Sequence, residues 1–133
     1  MGRVFLFGDN IDTDVLAAGR YMKGSIEELA KHCLEAVDPG FASNVRPGDV
    51  VVAGRNFGMG SSREQAAQAL KVLGVAAVVA QSFGGIFYRN ALNFGLPALF
   101  FPGAGEIRPG DVLEVEPVVG RILNVTSGRE YRV

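Results

Sequence analysis

Cysteine is nearly missing from this 133-residue chain, with Cys33 standing alone. A single thiol excludes an intramolecular disulfide and argues against an oxidising compartment. Nor can it by itself hold an iron–sulfur cluster, which generally takes several thiolates. Net charge is nearly missing as well: 13 Lys and Arg against 14 Asp and Glu leave −1. Without a basic field, nucleic acid is not an expected partner. No run approaches the roughly 20 apolar residues of a membrane-spanning helix. The opening Met1-Gly2-Arg3-Val4 leads into Phe5-Leu6-Phe7 without a signal-peptide layout, so the expected address is the cytoplasm. His32 is the only histidine. No Cys, His or carboxylate cluster at ligand spacing accompanies it, and it reads as a surface residue rather than a metal site.

What is present is a soluble, globular composition, 48% hydrophobic and 20% charged. Arg3–Phe7 reads as a first strand closed by Gly8-Asp9-Asn10, and Val15–Met22, without a clean period, as a loop. Ser25–Val37 reads as a helix. Ser25 and Glu28 suit a capping box, and Ile26, Leu29, Ala30, Cys33 and Val37 recur on one face. The turn Arg46-Pro47-Gly48-Asp49 precedes Val50–Ala53, an apolar run of the kind buried on both faces. A glycine-rich loop from Gly54 to Gly60 and a helix from about Ser62 to Leu73 follow. Val75–Ala80, a helix over Phe83–Phe94 and Leu96–Phe101 complete a strand-helix alternation that predicts parallel pairing with right-handed crossovers. Beyond Pro102 the texture changes to short strands at Asp111–Glu116, Val119–Val125 and Glu130–Val133. Arg108-Pro109-Gly110-Asp111 repeats the earlier turn. With no dividing linker, the expectation is one α/β domain over residues 1–133, a parallel βαβαβ core followed by short strands.

The chemistry concentrates in Gly54-Arg55-Asn56-Phe57-Gly58-Met59-Gly60-Ser61-Ser62-Arg63-Glu64-Gln65. A loop between a buried strand and a helix start is where α/β sheets bind ligands, and helix N-termini favour anions. Gly58 and Gly60 allow close backbone approach. Ser61 and Ser62 bring hydroxyls, and Arg63 offers a fork that suits a carboxylate. The plainer alternative is that Ser61 with Glu64, or Ser62 with Gln65, is a capping box. A phosphate loop fails for want of a Lys after the second Gly, and a dinucleotide fingerprint for want of its third Gly. The residues alone lead to an anion-binding loop or a helix cap.

Asn56-Phe57-Gly58-Met59-Gly60-Ser61-Ser62-Arg63-Glu64, followed by Gln81-Ser82-Phe83 and Ile86-Phe87-Tyr88-Arg89-Asn90, resembles the small subunits of 3-isopropylmalate dehydratase and homoaconitase. Gly8-Asp9-Asn10-Ile11-Asp12-Thr13-Asp14 and Arg46-Pro47-Gly48-Asp49 resemble the same family, in the same order, from about Gly8 to Pro102. The resemblance implies the swivelling β/β/α domain equivalent to the mobile fourth domain of aconitase. It also implies a hydro-lyase half, active only with a large subunit that carries a 4Fe-4S cluster, in a heterodimer or heterotetramer, on a di- or tricarboxylate. The implied reaction turns 2-isopropylmalate into 3-isopropylmalate in leucine synthesis, with homoaconitate hydration as the neighbouring alternative. By the same resemblance Ser61 is the base that, as an alkoxide, removes the proton beside a carboxylate, while Ser62 and Arg63 hold substrate carboxylates. Lys23 stands near the place where aconitase supplies an arginine, with Tyr21 beside it and Arg20 behind it. Asp12 and Asp14 are expected to support that loop, as Gly58 and Gly60 support the other.

Three departures accompany the resemblance. Met59 stands where many relatives have Cys, and Gln65 where many have His. The chain also stops earlier than most relatives, which points to a compact version or to a branch with a different substrate. From a different class altogether comes the rival of a dicarboxylate-binding module without catalysis.

Overall fold

The computed structural model describes residues 2–17, 24–60 and 64–133. Among the described residues, seven strands form a single sheet: β1 (Gly2–Leu6), β2 (Val50–Ala53), β3 (Ala77–Ala80), β4 (Ala98–Phe100), β5 (Val112–Glu116), β6 (Arg121–Asn124) and β7 (Arg129–Arg132). Their spatial order is β4-β3-β2-β1-β5-β6-β7. The first four run parallel, while β5, β6 and β7 continue antiparallel from the other side of β1. Sequence periodicity predicts both halves, and β1 is the strand that joins them.

The run Val50-Val51-Val52-Ala53 is buried throughout, as a strand covered on both faces should be. Val51 and Ala53 pack toward the helices with Val78 and Ala80. Val50, Val52 and Val79 pack on the other side with Phe101, Leu113 and Ile122. Each fully buried valine stabilises the fold by roughly 1.5–3 kcal/mol. On the helical side lie α1 (Thr13–Leu16), α2 (Ile26–Ala30), α3 (Phe41–Asn44), α4 (Gln65–Val72) and α5 (Gly85–Asn93). A 3-10 turn over Pro102–Glu106 leads from the parallel half to the antiparallel one.

β1 begins between two copies of the same turn. In the first, the Asp49 carboxylate accepts from the Arg46 N–H at 2.8 Å and from the Arg3 N–H at 3.0 Å. In the second, the Asp111 carboxylate accepts from the Arg108 N–H at 2.8 Å, and the Asp111 carbonyl accepts from Val4 N–H at 3.3 Å. A Cβ on Gly2 would lie 1.9 Å from the Gly48 carbonyl oxygen, so the first turn demands glycine there.

Two expectations need correction. The helix expected over Ser25–Val37 ends at Ala30, although Ser25 does cap it by accepting from Glu28 N–H at 3.2 Å. Leu34 takes φ 60°, and its N–H donates to the Val15 carbonyl at 3.1 Å instead of continuing the helix. Consequently Leu34 is buried, and Val37, expected on the apolar face, is exposed. Second, part of the loop expected over Val15–Met22 is helical, since α1 spans Thr13–Leu16. α4 is described from Gln65 onward, with Glu64 before it in right-handed helical conformation. The capping box that pairs Ser61 with Glu64, or Ser62 with Gln65, turns on serines that lie outside the described residues. Cys33 lies buried, and burial pushes its thiol pKa up, which keeps it a protonated core residue. His32 is half-buried beside Glu35. No helix among the described residues is long and apolar enough to cross a membrane.

Candidate functional site

Parallel strands deliver their following loops to one end of the sheet, and here three such loops meet. They are residues 8–12 after β1, 54–60 after β2 and 81–84 after β3. Backbone hydrogen bonds lace them together. Gly54 N–H donates to the Gly8 carbonyl at 3.2 Å, and Gln81 N–H to the Gly54 carbonyl at 3.0 Å. Further out, Gly58 N–H donates to Ile11 at 2.6 Å and Thr13 N–H to Met59 at 2.9 Å. Phe57 N–H reaches Ser82, and Gly84 N–H returns to Phe57. Isolated bridges between Asp12 and Met59 and between Phe57 and Phe83 mark the same lacing.

Two glycines of the middle loop, Gly58 and Gly60, take positive φ. Met59 N–H donates to the Asn56 carbonyl at 3.2 Å, closing a tight turn in which Gly58 takes φ +78°. A Cβ on Gly58 would stand 2.2 Å from Phe87 Cγ. Phe87 anchors the turn from below, with its ring 5.3 Å from that of Phe57 and 6.2 Å from that of Phe83. Gly60 takes φ +107° close to Thr13. Asp12 caps α1, its carboxylate accepting from Val15 N–H at 2.9 Å, and Asp14 sits exposed in the first turn of that helix. At the rim, Asp9 accepts from Arg55 N–H at 2.7 Å and pairs with the Arg55 guanidinium at 3.4 Å. These contacts, the backbone N–H first, hold the Asp9 carboxyl below the usual carboxylate range.

Of the residues singled out in the sequence, Gly58, Gly60, Asp12 and Asp14 lie on these loops or on α1 directly beside them. Ser61, Ser62, Arg63, Lys23, Tyr21 and Arg20 lie outside the described residues. The chain reaches Ser61 immediately after Gly60 and leaves Arg63 into Glu64, the residue before α4. Arg89 is exposed on α5, and Met59 is exposed at the loop. A pocket of about 270 Å³ opens at the same end of the sheet, lined in part by Leu6, Phe7, Asp9, Gly54 and Gln81. Gly54, the first residue of the glycine-rich loop, lines it, whereas Gly58, Gly60, Asp12 and Asp14 do not.

Sequence reasoning quoted Asn10, Asn56 and Ser82 inside longer motifs without giving them roles. The structure brings them together: Asn56 N–H donates to Ser82 Oγ at 2.9 Å, and Asn56 Nδ2 donates to Asn10 Oδ1 at 3.0 Å. The available signal was residue type, since asparagine is the residue other than glycine that most readily takes positive φ.

Among the described residues no group of three or more His, Cys, Asp or Glu side chains is placed to hold a metal ion. Cys33, buried and protonated, does not fit an iron–sulfur cluster either.

Comparison with known proteins agrees with this architecture. The Aconitase C-terminal domain family matches residues 15–103. The 3-isopropylmalate dehydratase small subunit 1 of Thermotoga maritima is 53% identical over 133 residues, covering 98% of this chain and 80% of that protein. The methanogen homoaconitase small subunit of Methanothermobacter thermautotrophicus is also 53% identical, covering 99% of this chain and 77% of that protein. A crystal structure of 3-isopropylmalate dehydratase from Methanocaldococcus jannaschii superposes with a TM-score of 0.93 at 43% identity, over 98% of this chain and 78% of that one.

Proposed function

The chain belongs to the Aconitase C-terminal domain family, among the small subunits of 3-isopropylmalate dehydratase and homoaconitase, and we propose that it is the small subunit of a 3-isopropylmalate dehydratase. In this reading it converts 2-isopropylmalate to 3-isopropylmalate together with a large subunit that carries the iron–sulfur cluster. The family resemblance assigns the cluster to that partner, and the single Cys33 of this chain is buried in its core.

The carrying observation is the lacing of the three loops around Gly58 and Gly60, which leads the chain straight into Ser61, Ser62 and Arg63. Ser61 is assigned as the base that takes the proton from the carbon beside a substrate carboxylate. Serine is a poor base in water, so its alkoxide needs donors fixed in a dry site. Docking of the partner supplies the dryness. Ser62 and Arg63 hold a carboxylate, Arg63 through its two-pronged guanidinium. Lys23, with Tyr21 and Arg20 near it in sequence, offers a second cation for the other carboxylate. Asp12 and Asp14, through α1, support the segment that carries Lys23. Loss of water gives an unsaturated diacid, and its return places the hydroxyl one carbon away.

The test is an anaerobic assay with the large subunit, on 2-isopropylmalate and on homocitrate, with each subunit alone as control. Turnover only in the mixture supports the enzyme-half reading. The equal identity to a homoaconitase small subunit makes homocitrate the informative competitor, and preference for it would move the substrate assignment. Ser61→Ala should abolish turnover while folding and partner binding survive. A variant that instead loses stability and keeps its activity would return Ser61 to a capping role.

A further inference from the structure

Three residues other than glycine take positive φ among the described residues: Asn10 at 59°, Leu34 at 60° and Asn56 at 59°. Leu34 has its reason in the core, where its side chain is buried and its N–H meets Val15. The two asparagines are exposed and face each other across the loops after β1 and β2. Glycine would satisfy both backbones with less strain, so the side chains must serve some further purpose.

Their bonds show what that purpose is. Asn56 is the hub of the middle loop. Its N–H donates to Ser82 Oγ at 2.9 Å, its carbonyl accepts from Met59 N–H at 3.2 Å, and its side-chain amide donates to Asn10 Oδ1 at 3.0 Å. Asn10 is tied to the same strand end, its N–H donating to the Arg55 carbonyl at 2.8 Å. The Asn56 carbonyl closes the turn through Gly58, and that turn opens the path to Ser61. A displacement at Asn56 therefore passes through four covalently linked residues to the assigned base.

We propose that Asn10 and Asn56 form a positioning latch, in which the Asn10 acceptor holds the Asn56 amide and thereby sets the turn that presents Ser61. This rests on the assignment of Ser61 made above. In the isolated chain the amide pair competes with water and contributes little. Once a partner covers the loops and excludes water, the same bond strengthens. The latch should thus register in turnover and hardly at all in the stability of the free chain.

The test uses the assembled two-subunit enzyme. Asn10→Gly keeps the left-handed backbone and removes the acceptor. Asn10→Asp keeps both, since aspartate tolerates this conformation. Asn10→Gly should lower kcat about 10- to 100-fold and leave KM within about twofold, as misplacement of a reacting group does. Asn10→Asp should recover most of that loss, and melting of the isolated variants should match the parent chain. Unchanged kcat in Asn10→Gly, equal losses in both variants, or a loss that follows the melting temperature would each overturn the latch. Should the parent complex turn over no diacid, the function reading fails first, and amide exchange in the complex then decides the latch. Faster exchange at Gly58 and Met59 in Asn10→Gly, but not in Asn10→Asp, would support it, and unchanged exchange would overturn it.

Discussion

Gly58 shows how one missing methyl shapes the candidate site. Its φ of +78° lies where side chains are rare, and a Cβ there would stand 2.2 Å from Phe87 Cγ. Two separate constraints therefore exclude a side chain. Gly58→Ala should cost about 2–4 kcal/mol, from the left-handed strain and the displaced ring together. Denaturant unfolding measures this, and a loss below about 1 kcal/mol would show that Phe87 swings aside. Gly84 has a similar duty from the other side, since its Cβ would lie 2.9 Å from the Gly58 carbonyl oxygen. The motif was legible in sequence because it repeats glycine. The reason for each glycine was not, because Phe87 meets Gly58 only after α5 has packed beneath the loop.

At the scale of elements, the paired Arg-Pro-Gly-Asp turns place β1 between the two halves of the sheet. Asp111 accepts from the Arg108 backbone N–H and from Asn124 Nδ2, each at 2.8 Å, and these bonds hold its carboxyl below the usual range. The unfolded chain titrates this group near the ordinary value of about 3.9. A lowered pKa in the folded state makes the contribution complete above that value and lost as pH falls through the folded pKa. Asp111→Asn removes this titration, so its melting temperature should fall less steeply than the parent's as pH drops below about 4. Calorimetry from neutral to strongly acidic pH checks this. An unchanged acid limb would assign the effect to other carboxylates, such as Glu130, which Arg121 holds low. Both turns were legible as four-residue repeats before strands. The early end of α2 was not, because apolar spacing does not reveal that the Leu34 N–H belongs to Val15.

For the whole molecule, β7 forms one edge of the sheet. β7 offers Arg129, Glu130 and Arg132 at its edge, and such charge discourages further strand pairing. At the site end, Asn10, Asn56 and Met59 are exposed on the loops. On the enzyme-half reading, 2-isopropylmalate should leave the melting temperature of the isolated chain nearly unchanged and raise that of the assembled enzyme. A clear rise for the chain alone would favour the dicarboxylate-binding module. The sequence by itself determined the strand-helix alternation, the place of the buried β2, the glycine-serine-arginine loop and, through it, the family. Each of these is written in residue type and local spacing, and burial by apolar surface reads that pattern directly. Tertiary structure alone decided that β1 joins the parallel and antiparallel halves, that Leu34 rather than Val37 is buried, and that Asn10 meets Asn56. Those outcomes depend on which distant group receives a given backbone or amide hydrogen, and such partners exist only once the sheet has assembled.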